Sequence, residues 1–147
     1  MPKQEEAVEL LSKGYNCAQS ALGAFSEQLG LDQETALKMA SGFGGGIHHG
    51  EICGAVTGAV MAIGLKCGYF KEGDIKQKGL CDSLSNEFVE RFTKENGSIL
   101  CRDLLDVDVR SPSDFTTPEV RELFKTVCPE MVASASAIVQ DLLSTGE

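Results

Sequence analysis

Four of the six cysteines in this chain lie where a helix is predicted to begin, and these residues are Cys17, Cys53, Cys101 and Cys128. The start of a helix carries unpaired backbone N–H groups and the positive end of the helix dipole. Both features favour a thiolate over a thiol, and the thiolate is the form of cysteine that attacks sulfur and binds metal ions. The placement of these four residues therefore predicts sulfur chemistry.

No local spacing among the four cysteines defines a site by itself. The chain contains no C-x-x-C pair, so neither a zinc ribbon nor a thioredoxin-type centre is encoded by adjacent residues. It also contains no C-x-x-C-H, the signature of covalent haem attachment. Helix starts gathered around one cavity would supply several thiols in a positive field. Any shared site must therefore be assembled by the fold.

The other two cysteines fit a packing role. Cys81 aligns with Leu84 and Phe88 on one helical face, and free cysteine is a common small apolar filler of protein cores. Cys67 lies 14 residues after Cys53 on what is predicted to be one helix. At a rise of about 1.5 Å per residue the two are roughly 21 Å apart, which excludes a disulfide between them or a shared metal ion.

Helical periodicity runs through almost the whole chain and predicts the elements that position these cysteines. Asn16 is a favourable N-cap before Cys17, Ser98 is the predicted cap before Cys101, and Pro129 suits a first helical turn. The predicted helices cover residues 5–13, 17–29, about 33–40, 52–68, 75–94, 99–105, 118–125 and 129–143, with a long loop at 106–117. This pattern indicates an all-α bundle of about seven or eight helices forming a single domain over residues 1–147.

The predicted helix at 52–68 follows a glycine-rich run and contains many small residues, which favours a central position among closely packed neighbours. In that run Gly44, Gly45 and Gly46 permit close backbone approach, so they are candidates to cradle an anionic cofactor or to shape a pocket around Cys53. The run lacks the Gly-Lys-Ser/Thr ending of a phosphate-binding loop. A tight connection between two packed helices explains the glycines equally well.

Three further side chains near the cysteines are of types that act as bases or bind anions. His48 and His49 precede Cys53 by five and four residues, and His49 is the candidate base that would activate that thiol. Arg102 follows Cys101 directly and is placed to bind a thiolate or an anionic substrate. The alternative is that both histidines lie on a solvated loop and that Arg102 is an ordinary surface residue.

Composition narrows the functional class. The chain has 147 residues, 42% of them hydrophobic, and 13 basic against 22 acidic residues give a net charge of −9. This acidity argues against nucleic-acid binding. The N-terminal residues do not resemble a signal peptide, and the longest apolar run is too short for membrane insertion. We expect a cytoplasmic protein, in which cysteines more often serve redox or metal chemistry than static disulfides.

The segment Glu51–Gly58 contains C-G-A-x-x-G after a glycine-rich loop. It resembles the signature of the C_GCAxxG_C_C family, whose members are described as redox-active proteins with four characteristic cysteines. The resemblance covers nearly the whole chain and implies that the four are Cys17, Cys53, Cys101 and Cys128, while Cys67 and Cys81 lie outside the set. The pair His48-His49 departs from the small or basic residues expected in the loop of relatives.

Three hypotheses follow for the function. In the first, Cys53 attacks, activated by its helix start and by His49, and one of Cys17, Cys101 or Cys128 forms a reversible disulfide with it. The substrate would then be an unidentified redox partner or small molecule. In the second, the four cysteines bind zinc or an iron–sulfur cluster. In the third, the chain is a non-enzymatic helical interaction protein with packing cysteines, and its small-residue helix forms a homodimer interface.

Overall fold

The computed structural model describes residues 2–145, and the regular elements within that range are helical. The all-α bundle predicted from the sequence is confirmed, with eight α-helices. They are α1 (Lys3–Ser12), α2 (Cys17–Ser26), α3 (Gln33–Ala40), α4 (Gly54–Cys67), α5 (Ile75–Asn96), α6 (Cys101–Leu105), α7 (Pro118–Thr126) and α8 (Cys128–Thr145). Across the described residues, none of these helices is long and apolar enough to cross a membrane.

The helix at 52–68 begins later than predicted. Ile52 pairs with Leu100 in an isolated antiparallel bridge, so its backbone is extended and α4 starts only at Gly54, with Cys53 as N-cap. The predicted cap of α6 was also displaced. Ser98 accepts a hydrogen bond from the Leu100 N–H at 3.0 Å, which stabilises the turn before the helix, and Leu100 occupies the N-cap position.

Helix α4 lies at the centre of the bundle and packs against α2, α5 and α8. Its close approach to α2 depends on Gly58, because a Cβ atom there would lie 2.5 Å from the carbonyl oxygen of Ala18. The helices share one hydrophobic core, whose largest fully buried side chains include Phe25, Leu22, Ile63, Phe88, Phe92 and Leu142. Gly58 and the buried alanines Ala55, Ala59 and Ala62 of α4 thus serve helix packing inside the chain.

The long connection between α6 and α7 is more ordered than its lack of periodicity indicated. A single 3₁₀ turn at Pro112–Thr116 begins with a capping box, in which the Asp114 side chain accepts from the backbone N–H of Ser111. This turn carries Phe115 into the core, where 6% of its surface remains exposed. The connection therefore supplies one wall of the site described next.

Candidate functional site

The four helix-start cysteines line one cavity of about 570 Å³. Each is largely buried, with exposed fractions of 9% for Cys17, 6% for Cys53, 7% for Cys101 and 9% for Cys128. A cavity of this size is typical of small-molecule sites. The fold thus brings together four residues that are far apart in the chain, and it does so at the starts of four different helices.

Cys17 is positioned by the capped start of α2. The Asn16 side chain accepts the Gln19 N–H at 2.8 Å, and the Gln19 side chain accepts the Asn16 N–H at 2.9 Å. Both side chains also reach α3, since they donate to the carbonyl oxygens of Ser41 and Leu37 at 3.0 Å each. These bonds satisfy the free N–H group of Gln19 in the first turn of α2 and hold the start of this helix against the end of α3.

Cys53 and Cys101 lie side by side because the backbone segments that precede α4 and α6 pair with each other. The Cys53 N–H donates to the Ile99 carbonyl at 2.7 Å, and the Cys101 N–H donates to the Glu51 carbonyl at 2.7 Å. Two helix starts that are almost fifty residues apart in sequence are thereby fixed in register.

Cys128 enters the cavity from the junction of α7 and α8. The Val127 N–H donates to Leu123 at the end of α7, at 2.8 Å, while the Val127 carbonyl accepts from Met131 in the first turn of α8, at 3.2 Å. One residue therefore links the two helices, and Cys128 occupies the first helical position after it. This leaves its thiol at the positive end of an 18-residue helix.

The thiols of Cys17 and Cys128 interact, and hydrogen bonding between them shifts their pKa values in opposite directions. It lowers the pKa of Cys128, which accepts, and it raises the pKa of Cys17 well above its ordinary value, with burial of Cys17 adding to that rise. Cys128 is therefore the more acidic thiol of the pair.

Burial is the dominant influence on the other two cysteines of the cavity. It raises the pKa of Cys53 to about 11, although interactions with the backbone N–H groups of Ala55 and Val56 lower it in part. Burial, followed by the nearby thiols of Cys53 and Cys128, raises the pKa of Cys101 to about 12. The low pKa expected at Cys53 was therefore wrong, because desolvation of its thiolate outweighs the helix start.

The walls of the cavity are mostly apolar. They include Leu11, Leu104, Leu105, Phe115, Phe124, Val127 and Met131. Three basic side chains, His48, Arg121 and Lys125, also line it, and among the described residues no aspartate or glutamate does. The cavity thus combines thiols with an apolar interior and a basic rim.

The glycine-rich run forms a left-handed turn beside this cavity. Residues 45–48 all have φ between 56° and 64°, and they include the non-glycine residues Ile47 and His48. Gly44 and Gly45 line the cavity, whereas Gly46 does not. A Cβ on Gly45 would lie 2.9 Å from the Phe115 ring, so the glycine allows the turn to pack on the 3₁₀ segment. This close packing favours the tight-connection interpretation over a cofactor cradle.

The two other predicted site residues lie outside the cavity lining. His49 is exposed, and its Nδ1 atom is hydrogen-bonded to the Ile47 carbonyl, while His48 contacts Phe115 edge-on with ring centroids 5.7 Å apart. Arg102 donates to the Gly50 carbonyl at 3.0 Å and to the Glu51 carboxylate at 2.9 Å. Arg102 therefore holds the loop rather than a thiolate, and the histidine nearest the site is His48.

Sequence reasoning missed the contribution of α7. Arg121 and Lys125 are four residues apart and Phe124 lies between them, so all three share one helical face that leads directly to Cys128. That spacing was visible in the sequence. The contribution of Phe115 was not, since it depends on a 3₁₀ turn in a stretch without periodicity.

The described residues do not supply a set of ligands for the alternative hypothesis of a zinc or iron–sulfur site. Within residues 2–145, no three histidine, cysteine, aspartate or glutamate side chains are grouped so that they could hold one ion. All six cysteines are free thiols. Cys67 and Cys81 do not line the cavity, but their thiols interact with each other, and Cys67 also donates to the Ile63 carbonyl at 3.1 Å.

The chain is similar to a known protein over part of its length and to a protein family over most of it. A segment of 64 residues, 42% of this chain, is 41% identical to an "Uncharacterized protein" of Archaeoglobus fulgidus. The matched part also spans only 42% of that relative. No solved structure matches the chain. The family described as "Putative redox-active protein (C_GCAxxG_C_C)" matches residues 15–142, which include all four cysteines of the cavity. The chain therefore belongs to the C_GCAxxG_C_C family.

Proposed function

We propose that this protein is a dithiol redox protein whose active pair is Cys17 and Cys128. The observation that carries the proposal is that these two buried thiols line the same apolar cavity and interact closely enough to shift each other's pKa in opposite directions. Two thiols in contact are the precursor of a disulfide, and their unequal acidity assigns a role to each. The description of the family as redox-active agrees with this chemistry.

Cys128 is the attacking residue, because its pKa is lowered and it accepts the hydrogen bond from Cys17. In the first step its thiolate attacks one sulfur of a small disulfide R–S–S–R, a mixed disulfide forms, and one RS⁻ leaves. Cys17 then loses its proton and attacks the Cys128 sulfur, which expels the second RS⁻. The balance is two protein thiols and one disulfide giving one protein disulfide and two RSH.

Cys53 and Cys101 act as a neutral wall in this scheme. Their pKa values of about 11 and about 12 keep them protonated near neutral pH. A protonated thiol is a poor nucleophile, so neither competes with Cys128 for the substrate. The helix starts alone predicted Cys53 as the attacking residue, whereas this scheme gives that role to Cys128.

The test is to oxidise the reduced protein with graded ratios of oxidised to reduced glutathione, block the remaining thiols, and map the cysteine peptides by mass spectrometry. We expect the loss of two thiols, one cross-linked peptide pair containing Cys17 and Cys128, and full recovery on reduction. Recovery of Cys17 and Cys128 as free thiols, with a different cross-link in their place, would falsify the assignment.

The interacting pair Cys67 and Cys81 supplies a matched control, since it lies away from the cavity. Replacing Cys81 with serine is expected to leave the Cys17–Cys128 cross-link unchanged. Replacing Cys128 with serine is expected to abolish it and to leave Cys17 as a free thiol. If the cross-link yield fell equally in both variants, the effect would come from altered folding and not from the proposed pair.

A further inference from the structure

The basic side chains of the cavity lie on one face of α7. Arg121 and Lys125 are one helical turn apart and both line the cavity, while Glu122, which lies between them in sequence, does not. Neither cation forms a salt bridge with any residue in the range 2–145. Both side chains are exposed at the mouth, so a ligand that enters meets two unpaired positive charges.

This basic mouth contrasts with the rest of the molecule. The chain carries a net charge of −9, yet no acidic residue in the described part of the chain lines the cavity. A protein with this charge repels anions over most of its surface, and a local pair of cations focuses them at one opening. The charge pattern is therefore complementary to a negatively charged ligand.

The interior defines the rest of the ligand. Besides the two exposed cations, the cavity is lined by apolar side chains such as Phe115, Phe124 and Met131 and by the four buried thiols. Arg121 and Phe124 are three residues apart on α7, so a charged group bound at the mouth places an attached apolar or aromatic body against the ring. The thiols are at least nine-tenths buried, which disfavours reaction with a disulfide on the surface of a folded protein.

We propose that the substrate of this site is a small disulfide with an apolar or aromatic body and a carboxylate or sulfonate, and that Arg121 and Lys125 select it by binding the anionic group. This inference rests on the proposed Cys17–Cys128 redox pair. The disulfide is reduced to two thiols and the protein pair is oxidised, as in the two exchange steps above.

The test compares two aromatic disulfides, one anionic and one neutral. The anionic probe is 5,5′-dithiobis(2-nitrobenzoate), and the neutral probe is 4,4′-dithiodipyridine. The reaction of Cys128 with each probe is followed by rapid quenching and peptide mass spectrometry at low ionic strength. We expect the double substitution Arg121→Gln/Lys125→Gln to slow the anionic probe by about tenfold, the lower end of electrostatic steering, and to leave the neutral probe unchanged.

The matched control is Lys76→Gln/Lys94→Gln, which removes two exposed cations from α5 that do not line the cavity. It is expected to leave both rates unchanged. Added salt should slow the anionic probe in the unmodified protein and not in the Arg121/Lys125 variant.

Equal slowing of the anionic probe in both double variants, or in neither, would overturn the assignment of Arg121 and Lys125. If the Cys17–Cys128 disulfide still forms in that case, the redox function stands and the substrate class fails. If neither probe yields that disulfide, the proposed function itself fails.

Discussion

At the scale of single residues, the four thiols of the cavity differ in pKa because their thiolate forms are stabilised to different degrees. Cys128 has a hydrogen-bond donor in Cys17 and its pKa is lowered. Cys53 and Cys101 are desolvated without a donor of that kind, and their pKa values rise. A helix start is a property that all four share, so it cannot distinguish them. The neighbouring thiol of Cys17 distinguishes Cys128 from the others, because it lowers the pKa of Cys128.

This difference predicts the pH dependence of alkylation. Because the pKa of Cys128 is below its ordinary value of 9.0, its rate with iodoacetamide should reach half of its maximum below pH 9.0. The rate at Cys53, with a pKa of about 11, should still be rising there. Site-resolved mass spectrometry of the alkylated peptides at a series of pH values measures both profiles.

The substitution Cys17→Ala removes the hydrogen-bond donor while burial still acts on Cys128, so the pKa of Cys128 should rise and its profile should move to higher pH. Cys67→Ala is the matched control, since it also removes a buried thiol but does so outside the cavity. An unshifted Cys128 profile in Cys17→Ala would contradict the role given to the hydrogen bond.

Which residues form the site was largely predictable from sequence, but their chemical ranking was not. The choice of Cys17, Cys53, Cys101 and Cys128 rested on local helix-start signals. The Asn16 cap before Cys17 is present in the fold, whereas the Ser98 cap predicted before Cys101 is not. Acidity depends on burial and on neighbours across the cavity, which no local pattern encodes. For the same reason His49 was expected at the site, whereas the left-handed turn directs His48 to it.

At the scale of elements, the approach of α4 to α2 sets the position of Cys17 relative to the other thiols. Gly58 and Ala18 are in close contact at this crossing, and Ala18 is the residue next to Cys17. Both helices are nearly covered at this point, so the contact has no free space into which an added methyl group could move. The geometry of the site is thus coupled to the packing of small residues.

Two glycines of α4 give a matched test of this coupling. Gly58→Ala places a Cβ 2.5 Å from a backbone carbonyl and should lower the free energy of unfolding by about 1–3 kcal/mol. Gly64→Ala meets nothing within 4 Å and should raise it by up to about 1 kcal/mol through helix propensity. Urea denaturation of both variants measures the difference. A stabilised Gly58→Ala variant would show that the two helices are not in close contact.

The helices themselves were predictable because apolar periodicity and caps are local, and the errors fell where a tertiary contact overrides them. Ile52 reads as the first turn of a helix, yet its backbone pairs with Leu100 and is extended. Ser98 has the residue type of a cap, but its hydroxyl serves the preceding turn. Both deviations lie in the paired segments that fix Cys53 beside Cys101, so the fold departs from local rules where it builds the site.

At the scale of the whole molecule, a bond between Cys17 and Cys128 would join positions 111 residues apart. It would link the start of α2, near one end of the chain, to the start of α8, the last helix. Both helices pack on α4, so the closed loop would contain most of the bundle. A redox change at the cavity would then alter the stability of the entire chain.

Oxidation should therefore stabilise the protein. A cross-link that closes a loop of about 100 residues removes about 4–5 kcal/mol of chain entropy from the unfolded state, and strain in the folded state can only reduce this gain. We expect the free energy of unfolding to be about 3–5 kcal/mol higher for oxidised than for reduced protein. Its dependence on urea should also be shallower, because the cross-linked unfolded chain exposes less surface.

The comparison uses urea denaturation with and without reductant, and Cys128→Ser, which cannot form the bond, should unfold identically under both conditions. An oxidised protein that unfolds at lower urea than the reduced form would mean that the disulfide forces α2 and α8 out of their packing on α4, and that the reduced state is the one the fold favours.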